Sequence, residues 1–253
     1  MPGKKYNNLK LVIAYDGTGY KGWQKTVAGQ SIEEALQKSI ETVCQHPIEL
    51  QAASRTDAGV HALGQVVNFL TSKSFEDLSL LPVRFNQLLP SSITVLSCEN
   101  ADDDFHPTIS AQGKEYHYFV CLGPLQIPHH RLYSWHCPCR PDIELMRLAA
   151  QQLVGYQDFS AFCNFHANSR YSHFEREVAS IEIIKIDTNR LCFVVKGHSF
   201  LYKMVRNLVG TIINIGQGKI GIDRLPAIIA AKDRKEAGIS APAQGLFLKS
   251  IYY

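Results

Sequence analysis

Apolar positions follow two successive rounds along the chain, and each round predicts the same order of elements. Residues 9–15 (Leu-Lys-Leu-Val-Ile-Ala-Tyr) are rich in β-formers and read as a buried strand. A Gly-rich loop follows. Ser31 and Glu34 then form a capping box that opens a helix. Ile32, Ala35, Leu36, Ile40 and Val43 fall on one face of that helix, and Pro47 is its expected stop. Residues 48–53 and 65–70 read as strands on either side of a polar loop, 54–64. Residues 78–88 read as a helix with Pro82 in its first turn, and 93–97 as a fourth strand. The order is β-α-β-β-α-β, the ferredoxin-like pattern.

The second round begins with an alternating, aromatic strand at 114–122. Pro141 and Asp142 open a helix whose expected apolar stripe is Leu145, Leu148, Ala149, Leu153 and Val154. Residues 178–187 and 191–198 read as strands joined across Thr188-Asn189. A helix is expected over 200–215, a shorter one capped by Asp223, and a closing strand at 246–253. Asp102-Asp-Asp104 and His106-Pro107 interrupt both patterns, which places a boundary between halves at 1–106 and 107–253. The expected fold is α+β. Its two ferredoxin-like (βαββαβ) halves would form a largely antiparallel sheet, with helices on one side and a central cleft for a ligand.

Composition narrows the class. The chain has 253 residues, 45% hydrophobic and 19% charged, enough for a core and too apolar for disorder. Lys+Arg 26 against Asp+Glu 23 gives only +3, so a nucleic-acid partner would require locally concentrated positive charge. Lys203, Arg206 and Asn207 break the most apolar stretch, so no membrane span is expected. The N-terminus lacks the apolar run of a signal peptide. Seven scattered cysteines do not read as a secreted disulfide framework, so a reducing, cytoplasmic setting is expected.

Several motifs carry candidate chemistry. Gly17-Thr-Gly-Tyr-Lys-Gly22 matches G-x-G-x-x-G after a strand, but the helix cap comes only at Ser31. Its glycines therefore cannot form the helix's first turn around a pyrophosphate, and no nucleotide cofactor is expected. Lys21, Trp23 and Gln24 of this loop are instead candidates to touch RNA. His129, His130, His136, Cys137 and Cys139 have the wrong spacing for a zinc knuckle. Asp57 and His61 are four apart, but Gly59 argues against a helix that would make them metal ligands. No metal is expected.

The segment 54–62 (Ser-Arg-Thr-Asp-Ala-Gly-Val-His-Ala) is dense in functional side chains. Asp57 there is either an ionised carboxylate beside Arg55 or the aspartate of an Asx turn. Lys203, Arg206 and Asn207 share one face of a mostly apolar helix at i, i+3 and i+4. Arg206 either snorkels to solvent or reaches an anion. Tyr116 and Tyr118 share a strand face, packed in the core or stacked on a base.

Five blocks occur in family order: Tyr15-Asp-Gly-Thr-Gly-Tyr-Lys-Gly-Trp-Gln24, Arg55-Thr-Asp-Ala-Gly-Val-His-Ala62, Asp158-Phe-Ser-Ala-Phe-Cys163, Phe200-Leu-Tyr-Lys-Met-Val-Arg-Asn207 and Ala241-Pro-Ala-Gln-Gly-Leu246. In these the chain resembles the tRNA pseudouridine synthase A family over nearly its whole length. The resemblance implies an isomerase that converts uridine to pseudouridine at positions 38–40 of the tRNA anticodon stem-loop. It also implies an RNA-binding cleft, a homodimer and no cofactor. By the same resemblance Asp57 is the catalytic nucleophile, Arg55 its motif partner, and Arg206 the arginine that pairs with Asp57. Tyr116 matches the tyrosine that stacks on the target base and can accept its proton, and Leu246 lines the pocket. Lys21, Gln24, Arg55 and Lys203 are the further substrate-binding candidates. One position departs from the family pattern: Thr108 stands where an arginine is usual. A non-catalytic RNA-binding protein or chaperone of the same fold is the competing reading. It has no need of a carboxylate facing an RNA backbone.

Overall fold

The computed structural model describes residues 6–165 and 171–253. The first residues of the N-terminus, part of the segment read above as no signal peptide, lie outside them. The first strand, β1 (Asn7–Tyr15), forms where a buried strand is expected; it buries Leu9, Leu11, Ile13 and Tyr15 on one face and leaves Lys10, Val12 and Ala14 half-buried on the other. Helix α1 (Ile32–Cys44) begins at Ser31, whose hydroxyl accepts a hydrogen bond from the Glu34 amide at 3.2 Å. Its buried stripe is Ile32, Leu36, Ser39, Ile40 and Cys44, while Ala35 and Val43 are half-buried. Ser39 Oγ donates to the carbonyl of Phe85 at 2.9 Å. The helix does not run to Pro47. Gln45 ends it in the left-handed conformation (φ 61°), with its amide on the Glu41 carbonyl.

The expected strand at 48–53 shrinks to β2 (Gln51–Ala52), whereas β3 (His61–Thr71) starts earlier than its apolar run and takes in His61 and Ala62. Pro82 lies in the first turn of α2 (Leu81–Asn86), and β4 (Ile93–Asn100) follows. Strand β1 pairs antiparallel with both β3 and β4, and β2 pairs antiparallel with β3. These elements belong to one compact unit, Met1–Gln112 with Leu248–Tyr253.

The second unit is Gly113–Phe247. It opens with β5 (Gly113–Leu122) and a short strand, β6 (Trp135–Cys137), parallel to it. Helix α3 (Ile143–Gln152) is capped by Asp142, whose carboxylate accepts from the Leu145 amide at 3.0 Å. Its buried face is the expected one only in part: Ala149 and Leu153 are buried as expected, with Met146 and Ala150 beside them, while Leu148 and Val154 are exposed. Strands β7 (Gly155–Asp158), β8 (Glu175–Asp187) and β9 (Arg190–Gly197) follow, giving the antiparallel order β5-β9-β8-β7. The β8–β9 turn falls at Thr188-Asn189, as the sequence predicts.

Helix α4 (Met204–Gly216) starts four residues later than expected. Lys203 precedes it in the left-handed conformation (φ 59°), so it does not share a helical face with Arg206 and Asn207. Asp223 sits inside a 3-10 turn and does not cap α5 (Leu225–Ala231) with its side chain. The chain closes with β10 (Leu246–Tyr252), whose later residues return to the first unit beside β3. The protein is thus α+β, with a large, mostly antiparallel sheet and few helices. No helix among the described residues is long and apolar enough to cross a membrane.

Ser31 is fully buried and its hydroxyl satisfies one of the first-turn amides that lack a partner within the helix. Ser31→Ala should therefore lower the unfolding free energy by about 1 kcal/mol. The expected reading is a lower denaturant midpoint with an unchanged slope.

Candidate functional site

In the first unit the candidate residues lie on two loops that touch backbone to backbone. The connection between β2 and β3 carries Arg55, Thr56 and Asp57. At its base, Gln65 Nε2 donates to the Ser54 carbonyl at 2.6 Å, and the Ala53 amide to Val66 at 2.9 Å. Its tip is a turn in which the Val60 amide donates to the Asp57 carbonyl at 3.1 Å. Asp57 is half-buried, and Arg55 is exposed.

The Gly-rich loop after β1 lies directly against this connection. The Trp23 amide donates to the Thr56 carbonyl at 3.0 Å, and the buried hydroxyls of Tyr15 and Thr56 meet at 2.8 Å. A Cβ at Gly17 would stand 2.1 Å from the Val60 carbonyl oxygen, and one at Gly22 2.7 Å from that of Thr56. Gly22 also has φ +95°, which an L side chain rarely adopts. Nothing comparable surrounds Gly19. The glycines therefore serve close backbone packing under the Asp57 loop.

The same loop occupies the start of α1. The Ile32 amide donates to the Gly22 carbonyl at 3.2 Å and the Glu33 amide to Trp23 at 3.0 Å. With Ser31 Oγ on the Glu34 amide, the amides that would hold a phosphate are already taken by the protein. Lys21 and Gln24 are exposed on this loop.

His61 begins β3 and is buried. Its Nδ1 accepts from the Gly17 amide at 3.1 Å. Asp16 Oδ1 is 3.2 Å from the same nitrogen, but its own donors are the Thr18 amide and hydroxyl, at 2.9 and 2.6 Å. With Asp57 in a turn and His61 in a strand, the two are not ligands on one helical face. Thr108, where an arginine is usual, donates its hydroxyl to the Ala52 carbonyl at 2.8 Å, just ahead of the Asp57 loop.

In the second unit Tyr116, Arg206 and Leu246 are each fixed by packing. Tyr116 lies on β5 in register with Val195 and is almost buried. Its ring meets Phe200 edge-on at 5.3 Å. Tyr118, on the same face, is fully buried and donates to the Pro242 carbonyl at 2.7 Å. Burial pushes its phenol well above the ordinary tyrosine range, opposed by the positive charge of Arg206. A Cβ at Gly245 would lie 2.5 Å from the Tyr118 ring, so Leu246 follows a residue that must be small.

Arg206 sits in the first turn of α4 and is half-buried. Its Nε donates to the Ala241 carbonyl at 2.7 Å, and the Ala241 amide donates back to the Arg206 carbonyl at 3.1 Å. Asn207 is fully buried. Its Nδ2 donates to the Phe162 carbonyl at 2.7 Å and to Asn164 Oδ1 at 2.8 Å, while its Oδ1 accepts from Arg234 and Ser240. Asn207 therefore ties the 158–163 block to α4. Lys203 is half-buried, its ammonium 5.0 Å from the Tyr202 ring centre. Lys114, also on β5, has its ammonium pushed down to about 8 by burial.

Sequence reasoning did not single out Thr56, Tyr15 or Ala241 as supports. They lie inside the named blocks, and spacing alone does not rank residues within a block. Among the described residues no group of three or more His, Cys, Asp or Glu is placed to hold a metal ion.

A family model described as tRNA pseudouridine synthase matches residues 11–108 and 149–253. The chain is 51% identical over 250 residues to "tRNA pseudouridine synthase A 2" of Protochlamydia amoebophila, covering 99% of this chain and 95% of that protein. It is 38% identical over 248 residues to the tRNA pseudouridine synthase A of Acetivibrio thermocellus, covering 97% and 99%. To that of Thermoanaerobacter sp. it is 41% identical over 246 residues, covering 97% and 99%.

Three alanine variants separate the roles of the glycines. Gly17→Ala and Gly22→Ala should each cost about 1–3 kcal/mol, by overpacking and backbone strain. Gly19→Ala should stay within about 0.5 kcal/mol. Thermal unfolding of the three proteins checks this, and equal losses would contradict it.

Proposed function

Because the chain belongs to the tRNA pseudouridine synthase family, whose members are isomerases acting on tRNA, we propose the following reaction. Uridine at positions 38–40 of the tRNA anticodon stem-loop is converted to pseudouridine, with Asp57 as the catalytic carboxylate. The observation that carries this reading is the placement of Asp57 at the tip of a loop braced by the glycines beneath it.

The chemistry is balanced within one nucleotide. The N1–C1′ bond breaks, the uracil turns, C5 bonds to C1′, and the C5 proton is lost while N1 gains one. Nothing passes to an acceptor, so the reaction calls for no cofactor. The sugar is cationic as the glycosidic bond breaks, and a carboxylate stabilises or traps such a centre. In this reading Arg206 pairs with the Asp57 carboxylate and orients it, as charge-assisted pairing does. Tyr116 holds the detached base by stacking, and its phenol accepts the C5 proton. Leu246 supplies an apolar wall. The target must leave its stack, a cost of a few kcal/mol, repaid by contacts elsewhere on the RNA. Lys21, Gln24, Arg55 and Lys203 supply those contacts.

The reading comprises a half with the catalytic aspartate (1–106) and a half with the arginine and tyrosine (107–253), a homodimer and a cytoplasmic setting. The homodimer follows the family resemblance, the boundary the interruption of both patterns at 102–107, and the cytoplasmic setting the scattered cysteines.

Tritium release from an unmodified tRNA transcript labelled at uridine C5 tests the assignment. Wild type should release tritium and Asp57→Ala should not; release by that variant would remove Asp57 from the chemistry. Binding without release in wild type would favour the RNA-chaperone reading. Tyr116→Phe should stall with the rearranged base still carrying its C5 hydrogen, whereas full turnover would exclude the phenol. Arg55→Ala should weaken tRNA binding and reduce the salt slope of log K by about 1, measured by titration at several salt concentrations.

A further inference from the structure

Far along α4 from Arg206, Gln217, which caps the helix just past its last residue, meets a pair of thiols that the proposed reaction does not use. Cys137 ends β6, and Cys139 follows across Pro138. Their sulfurs are 3.4 Å apart. The Gly123 amide reaches both the Cys137 and the Cys139 carbonyls, at 3.1 and 3.3 Å, so the backbone between them is already turned tightly. Gln217 Nε2 lies 3.1 Å from each sulfur. Its Oε1 is buried without a partner among the described residues. A buried acceptor left unsatisfied is costly.

The two thiols differ in access. Cys137 is buried, and burial pushes its thiol up. Cys139 is the exposed cysteine of this chain. The other cysteines are at least partly buried, and burial pushes Cys98 up to about 12 and Cys192 up to about 11. His136 beside the pair is engaged elsewhere: its Nε2 donates to the Gly123 carbonyl at 2.9 Å.

The geometry points to Cys137 and Cys139 as a reversible dithiol–disulfide modification site, closed by exchange with a small disulfide such as oxidised glutathione. The exposed Cys139 thiolate attacks one glutathione sulfur, forming a mixed disulfide and expelling a glutathione thiolate. The Cys137 thiolate then attacks the Cys139 sulfur and expels the second glutathione. Two protein thiols lose their protons, one disulfide is reduced to two thiols, and one protein disulfide forms. The sulfurs need only close from 3.4 Å to about 2 Å. Closure withdraws the exposed thiol from further oxidation and removes thiol partners from the Gln217 amide.

Equilibration of the full chain with oxidised glutathione, followed by acid quench, alkylation under denaturing conditions and intact mass measurement, tests the site. Wild type should become two hydrogens lighter and lose two of its seven alkylatable thiols, reversibly with reduced glutathione. Peptide mapping should place the bond at Cys137–Cys139. Cys139→Ser, at an exposed position, should keep its remaining thiols. Cys137→Ser should instead stop at a glutathione adduct on Cys139. A stable adduct on Cys139 in wild type, or all seven thiols retained, would overturn the proposal.

Discussion

The Asp57 loop depends on one close approach: two stretches of backbone, 16–23 and 56–60, touching where no side chain can intervene. Glycine costs about 0.5–1 kcal/mol of extra chain entropy relative to alanine. Here the cost is offset by a backbone bond from Trp23 to Thr56 and by the buried Tyr15–Thr56 hydroxyl pair. These interactions gain strength from exclusion of water. The approach fixes more than one element. The Gly22 and Trp23 carbonyls also end the first turn of α1, so strand, helix and Asp57 loop share one junction. A shift at that junction moves all three together.

The second unit solves a related problem by burial. Helix α4 is buried along its whole length except at Arg206. A Cβ at Gly210 would stand 1.8 Å from the Ile239 carbonyl oxygen, so the 238–241 segment lies flat on the helix. Thr211 Oγ1, which donates to the Asn207 carbonyl, accepts the Gly238 amide at 2.9 Å. The reciprocal bonds between Arg206 and Ala241 then hold the arginine's Nε. A cation on so apolar a helix would be expensive if it were free to choose its direction. Fixing the stem reduces the entropy lost when the guanidinium meets an anion.

Much of this was legible in the sequence where one local rule governs the outcome. Strand β1, the Ser31 cap, the Asp142 cap and the Thr188-Asn189 turn are decided within a few residues of chain. The errors fall where tertiary contacts decide. Strands β6 and β7 are too short to carry a period, and β3 extends to His61 because the Gly17 amide bonds that ring. In α3 the stripe takes in Met146, because Gly216 and Pro141 pack there, rather than Leu148. The late start of α4 follows from the left-handed Lys203, an uncommon state for a lysine. At the site, the Arg-Thr-Asp block stood out by its residue types. The purpose of Gly17 and Gly22 did not, because close approach between distant segments leaves no mark on either segment alone.

These two supports make sense of an isomerase whose net charge is only +3. In the proposed reaction a base moves within one nucleotide, so the work left to the chain's own residues is positioning and electrostatics. Positioning requires rigid first contacts, supplied here by buried backbone and aromatic packing. Electrostatic attraction to RNA requires mobile, solvated cations, and Lys21 and Arg55 are exposed. The two demands pull in opposite directions on the same loops. The chain separates them residue by residue: Thr56 is buried and bonded, while its neighbour Arg55 is left to solvent. In the proposed reaction the half-buried Asp57 therefore starts from a backbone held on both sides, by Trp23 on Thr56 and by Val60 on its own carbonyl.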